Sequence, residues 1–163
     1  MAEGHPAALA DLIGYHLRLT DLVALRDARA ALADLQTTPA KVTALAFIRD
    51  DPGCDQSSLG RFLEVNRASA MKLVNSLQER GLVERREGRD RRSNGLHLTA
   101  EGQEAFSAMV AALVTAEARL VQQLTLPERR ELLRLLTKVR EAAARPDGLG
   151  QETERSAPKR SAV

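Results

Sequence analysis

The sequence predicts a mainly α protein with a small β-hairpin wing (α+β), and three features between Asp55 and Gly102 carry that prediction. Ala70, Leu73, Val74 and Leu77 recur at the three- and four-residue spacing of one helical face. Ala68, Lys72, Asn75 and Glu79 fall on the opposite face, with Ser69 and Ser76 on a flank. After Gly81 the period changes: Leu82 and Val83 open one short strand, and Leu96 and Leu98 alternate about His97 as a second. Between the strands stand Arg85, Arg86, Arg89, Arg91 and Arg92 against only Glu87 and Asp90, with Gly88 and Gly95 as turn residues. A helix with a small polar outer face, followed by an arginine-tipped hairpin, outlines a winged helix-turn-helix. That is a shape for reading double-stranded DNA.

Taken in order, residues 1–7, with Gly4 and Pro6, read as a flexible N-terminus. A long helix is expected from Ala8 to Asp34, its stripe made of Leu9, Leu12, Ile13, His16, Leu19, Leu22, Val23 and Arg26. Thr38 and Pro39 suit the cap and first position of a second helix, which turns Val42, Leu45, Ala46 and Ile48 inward and stops at Asp50-Asp51-Pro52-Gly53. Asp55 can cap a short helix with Leu59, Phe62 and Leu63 facing inward, where Gly60 implies close approach of another backbone. Asn66 caps the next helix and Gly81 ends it. Thr99 then caps a helix from Ala100 to about Gln123, striped by Phe106, Met109, Val110, Leu113 and Leu120. Thr125 and Glu128 have the spacing of a capping box for a last helix, which runs to about Ala144 and carries Leu132, Leu133, Leu135, Leu136 and Val139 on one side.

The apolar stripes of the end helices are longer than a reading head of about 50 residues could cover. They imply a partner subunit, and a two-fold dimer would match a palindromic operator with half-sites one helical turn apart. The expected layout is therefore a flexible segment (1–7), an N-terminal dimerisation helix with the second helix (8–49), the winged helix-turn-helix region (50–102), C-terminal dimerisation helices (103–144) and a disordered tail (145–163).

Composition narrows the function. The 163 residues carry a formal net charge of only +2, so the basic character is local and suits a focal phosphate contact. With no Trp, one Tyr and three Phe there is no stacking platform for single-stranded nucleic acid. The lone Cys54 fits a reducing, cytoplasmic setting, and no apolar run is long enough for a membrane span. His5, His16 and His97 are scattered, and no metal-ligand cluster, phosphate loop or catalytic constellation occurs. No enzyme activity, metal or cofactor is expected.

The run DRRSNGLHLTAEG, Asp90 to Gly102, together with LQERGLVER, Leu77 to Arg85, resembles the multiple-antibiotic-resistance regulator (MarR) family of bacterial winged-helix repressors. The family pattern is Asp, any residue, Arg, several residues, Leu-Thr, two residues, Gly. The resemblance covers residues 59–102 by motif and about 10–140 by layout. It implies that the terminal helices interleave in a homodimer. It also implies that a small anionic or phenolic effector binds between the dimer helices and the reading head, with Asp90 and Arg92 as the matched wing residues.

From the residues themselves, the N-terminal part of the recognition helix supplies the DNA contacts: Asn66, Arg67, Ala68, Ser69, Met71 and Lys72, with Asn75 further back. Arg67 or Lys72 can bond guanine, and Ala68 can touch a thymine methyl. Ser57 and Ser58, at the start of the preceding helix, suit a phosphate or a cap. Arg89, Asp90, Arg91 and Arg92 form the wing, with the groove-entering arginine left open. For the effector that the resemblance implies, Tyr15 and His16 on the first helix and Arg49 on the second are the candidate lining residues. The expected function is a homodimeric transcriptional repressor released by an aromatic acid, phenol or thioester. The alternatives are redox response through Cys54 and a winged-helix protein-interaction module.

Overall fold

Local capping and turn chemistry set out the elements before any packing does. The computed structural model describes residues 6–87 and 94–143. After a single 3-10 turn at Ala7–Leu9, the helices are α1 (Ile13–Ala31), α2 (Pro39–Asp50), α3 (Gln56–Phe62), α4 (Arg67–Glu79), α5 (Ala100–Leu120) and α6 (Leu126–Ala143). Strands β1 (Val83–Glu87) and β2 (Asn94–Leu98) lie between α4 and α5 and pair antiparallel, from Val83 opposite Leu98 to Glu87 opposite Asn94. The chain is mainly helical with one small hairpin, the predicted fold class.

The three helices between α1 and the hairpin start on side-chain caps that the sequence signals. Thr38 accepts from the Lys41 N–H ahead of Pro39, Asp55 from the Ser58 N–H at 2.7 Å, and Asn66 from the Ser69 N–H at 2.9 Å. Such caps are each worth ~1 kcal/mol. The α3–α4 turn is tight: the Val65 N–H donates to the Gly60 carbonyl, and Glu64 takes the left-handed conformation at φ 53°. A Cβ on Gly60 would lie 3.3 Å from the Ala70 methyl, which lets α3 and α4 cross closely. The core gathers Val42, Leu45 and Ile48 of α2, Leu59 of α3, Val74 and Leu77 of α4, Val83 and Leu96 of the hairpin, and Phe106 and Met109 of α5. Each buried aliphatic or aromatic side chain contributes roughly 1.5–3 kcal/mol.

Several expectations are corrected. The first helix does not begin at Ala8. The chain breaks over Ala10–Leu12, Leu12 is extended, and the His16 imidazole Nε2 lies 2.7 Å from the Ala10 carbonyl oxygen. Its far end comes at Ala31, because the next residues fold into turns that finish with Gln36 at φ 49°. Helix α5 stops at Leu120 rather than Gln123. Phe62 does not face inward: it is 54% exposed and stacks on Phe47 with ring centroids 4.5 Å apart. At Thr125 half the capping box forms, with the Glu128 carboxylate accepting from the Thr125 N–H at 2.7 Å.

The chain divides into two compact units, one up to Leu120 and one from Val121. Within the first, α1 packs along α5, yet no residue of α1 is fully buried. Ile13, Leu17, Leu22 and Val23 stay exposed. In the second unit α6 exposes Leu126, Leu132, Leu133, Leu135 and Val139. Among the described residues no helix is long and apolar enough to cross a membrane.

Candidate nucleic-acid interface

Helix α4 is held by its inner face. Ala70, Val74 and Leu77 are buried and Leu73 is half-buried, so the other side is turned outward. That outer face carries Arg67, Ala68, Ser69, Met71, Lys72 and Asn75, all exposed. Asn66 also stays exposed while its carboxamide oxygen caps the helix. Small side chains at positions 68 and 69 keep the backbone accessible, and Arg67 and Lys72 place two cations on the stripe. A concavity beside it brings Lys41 of α2 and its N-cap Thr38 next to Ser69 and Lys72, adding a third cation near the same edge.

At the start of α3, Ser57 is exposed and Ser58 half-buried. The cap belongs to the Asp55 carboxylate, which accepts from the Ser58 N–H, and the Ser58 side chain also bonds to it. The Ser58 hydroxyl accepts in turn from the Arg61 guanidinium at 2.8 Å. The Ser58 N–H bond is the main cause holding the Asp55 carboxyl below its ordinary value of 3.8, even though desolvation opposes it.

The hairpin is tied to the reading helices. Arg85 of β1 donates to Gln78 Oε1 at 3.0 Å and to Gln56 Oε1 and Asn75 Oδ1 at 3.4 Å each, while Arg86 pairs with Glu84. Arg80 donates to the Leu35 and Gln36 carbonyls, locking the end of α4 to the turn before α2. Sequence reasoning missed these ties. Asn75 and Gln78, one helical turn apart, were the available sign that an amide row faces the strand. Arg89, Asp90, Arg91 and Arg92 lie outside the described residues.

The effector candidates sit in separate settings. Half-buried Tyr15 meets exposed His16 edge to face at 5.7 Å. Arg49 lies over the Phe106 ring at 4.7 Å and pairs with Asp50 at 2.8 Å. Cys54 is 4% exposed, its backbone bridged to Leu96. Among the described residues no His, Cys, Asp and Glu side chains cluster so as to hold a metal.

The sequence profile of the MarR family matches residues 35–93. A protein described as a transcriptional regulatory protein for the hcr operon of Thauera aromatica is 33% identical over 141 residues, spanning 85% of each chain. The chain belongs to the MarR family. Its fold is similar to that of the transcriptional repressor CouR bound to a 23-mer DNA duplex, with a TM-score of 0.77, 29% identity, and coverage of 85% of this chain and 99% of that one. It is similar also to the Mycobacterium tuberculosis MarR family protein Rv2887 in complex with DNA, with a TM-score of 0.68, 27% identity, and coverage of 78% and 96%. Rv2887 has likewise been solved in complex with salicylic acid.

Within the MarR motif, the structure supplies a physical reason for Leu-Thr-x-x-Gly. The Thr99 hydroxyl donates to the Gly81 carbonyl at 2.6 Å and accepts from the Gly102 N–H at 2.9 Å, and the Thr99 N–H donates to the Leu82 carbonyl. The first turn of α5 is thereby seated on the turn that ends α4. A Cβ at position 102 would fall 1.9 Å from the Leu82 carbonyl oxygen, so only glycine fits.

Proposed function

We propose that this MarR family member is a homodimeric transcriptional repressor that reads double-stranded DNA through α4 and is released by a small aromatic acid. The observation that carries the reading is the outer face of α4. Its small, polar and cationic side chains stand exposed on a helix whose opposite face is anchored in the core. A helix so presented, followed by a hairpin, fits a major groove with Arg67 and Lys72 near its leading end. The DNA complexes of CouR and Rv2887 support the same reading.

The exposed apolar faces of α1 and α6 support a dimer built from the ends of the chain, which would hold two copies of α4 at a spacing that matches a palindrome. Repression is then steric occupation of promoter DNA in the cytosol, with no catalytic step. The salicylic acid complex of Rv2887 suggests the effector class, and Tyr15, His16 and Arg49 offer ring edges and a cation for an aromatic carboxylate. The ligand acts by preferring a head spacing different from that of the operator. Burial of Cys54 weighs against a redox trigger, since an inaccessible thiol in apolar surroundings is inert.

Salicylate and its thioesters test this in a coupled measurement. An inducer raises the melting temperature of the free protein and lowers its affinity for an enriched duplex, and the duplex lowers the affinity for the inducer by the same factor. A compound that stabilises the protein while leaving duplex affinity unchanged is not the effector. If no aromatic carboxylate couples to DNA binding, the release mechanism is wrong.

A further inference from the structure

Arg85 ends among three side-chain amides, those of Gln56 on α3 and of Asn75 and Gln78 on α4. A guanidinium has donors only, so the atom each amide turns toward it must be oxygen, and each N–H2 is directed away. Asn75 is the member with a consequence for recognition. It is exposed on the same face of α4 as Ala68, Met71 and Lys72, whereas Gln56 and Gln78 are half-buried. An unconstrained asparagine reads adenine in both directions, its oxygen accepting from N6 while its amide donates to N7. The Arg85 guanidinium takes one of the two lone pairs of Oδ1, and its charge opposes a second donor at that oxygen, which biases Asn75 toward reading through its N–H groups. Of the base edges in the major groove, guanine presents two acceptors, N7 and O6.

We propose that Arg85 is a positioning residue that sets Asn75 to read as a donor, so that each half-site carries guanine where Asn75 reaches and adenine is disfavoured there. The inference rests on α4 being the DNA-reading helix. It adds to that reading a specificity determined from the base of the hairpin.

The test enriches bound duplexes from a pool randomised over two half-sites, using the full-length protein and its Asn75→Ala, Arg85→Ala and Arg85→Lys variants. Circular dichroism melting identifies the variants that remain folded. The wild type should enrich a two-fold symmetric motif, and Asn75→Ala should erase the preference at one base pair per half-site. Arg85→Ala releases Oδ1 and should move that same pair from guanine toward adenine by about fivefold or more in relative enrichment. Arg85→Lys keeps the charge but cannot span three amides, and should move the same pair in the same direction even if the alanine variant fails to fold. The inference is overturned if the pair lost in Asn75→Ala was not guanine, or if folded Arg85 variants weaken all duplexes alike and leave the motif unchanged. Absence of any enriched motif with the wild type would sink DNA reading itself, a separate result.

Discussion

Gly102 illustrates how a single residue ties the two halves of the reading head. The Leu82 carbonyl occupies the place where a side chain would begin, and being backbone it cannot swing aside as a flexible side chain could. Gly102→Ala should cost about 3 kcal/mol, the upper range for overpacking, and urea denaturation should show it as a lower midpoint with an unchanged slope. An unchanged midpoint would mean that α5 can shift away from Leu82. Asp55 makes a second residue-scale case. Its carboxyl titrates lower when folded than its ordinary 3.8, chiefly through the Ser58 N–H bond. Its stabilising effect is therefore present above the unfolded value and fades as pH falls through the folded one. Asn caps without titrating. The difference in unfolding free energy between wild type and Asp55→Asn should be constant above about pH 5 and move against the wild type as pH falls through 3.8 and below. If that difference is flat with pH, the cap bond is not formed in solution.

At the scale of elements, α4 was legible because capping, periodicity and termination all act within a few residues of one another. Asn66, the Ala70–Leu77 stripe and Gly81 each have a local cause. The start of α1 was not legible, since the break at Ala10–Leu12 interrupts an apolar spacing that runs on through it. Phe62 misled for a related reason: its spacing matches the inner face of α3, but Phe47 offers a stacking partner at the surface. The ties of Arg85 were not legible because its partners lie as far as 29 positions away. The division of labour along α4 follows from exposure. Arg67→Ala or Lys72→Ala should relax preference at one base pair by roughly 1–3 kcal/mol if that side chain reads a base. If it grips phosphate, every sequence should weaken alike and the salt slope should fall by about one. Competition with singly substituted duplexes separates these outcomes, and no change in either quantity removes the residue from the interface.

At the scale of the whole molecule, stripe length pointed to a partner subunit, and exposed leucines and valines on α1 and α6 are surfaces available for one. Deleting residues 1–34 should give monomer or aggregate by light scattering, with duplex binding largely lost because two heads are no longer held in register. A truncated chain that stays dimeric and binds normally would remove α1 from the assembly. The central claim is that two copies of this chain read one palindromic duplex through paired helices and phosphate contacts. It is tested most directly by titrating the full-length protein into an enriched duplex, and into one with a single scrambled half-site, across a salt series. Two chains per duplex, about tenfold or greater loss on scrambling, and a log–log salt slope of about −5 or steeper are the expected result. One chain per duplex, equal affinity for the scrambled site and a slope near zero would contradict it.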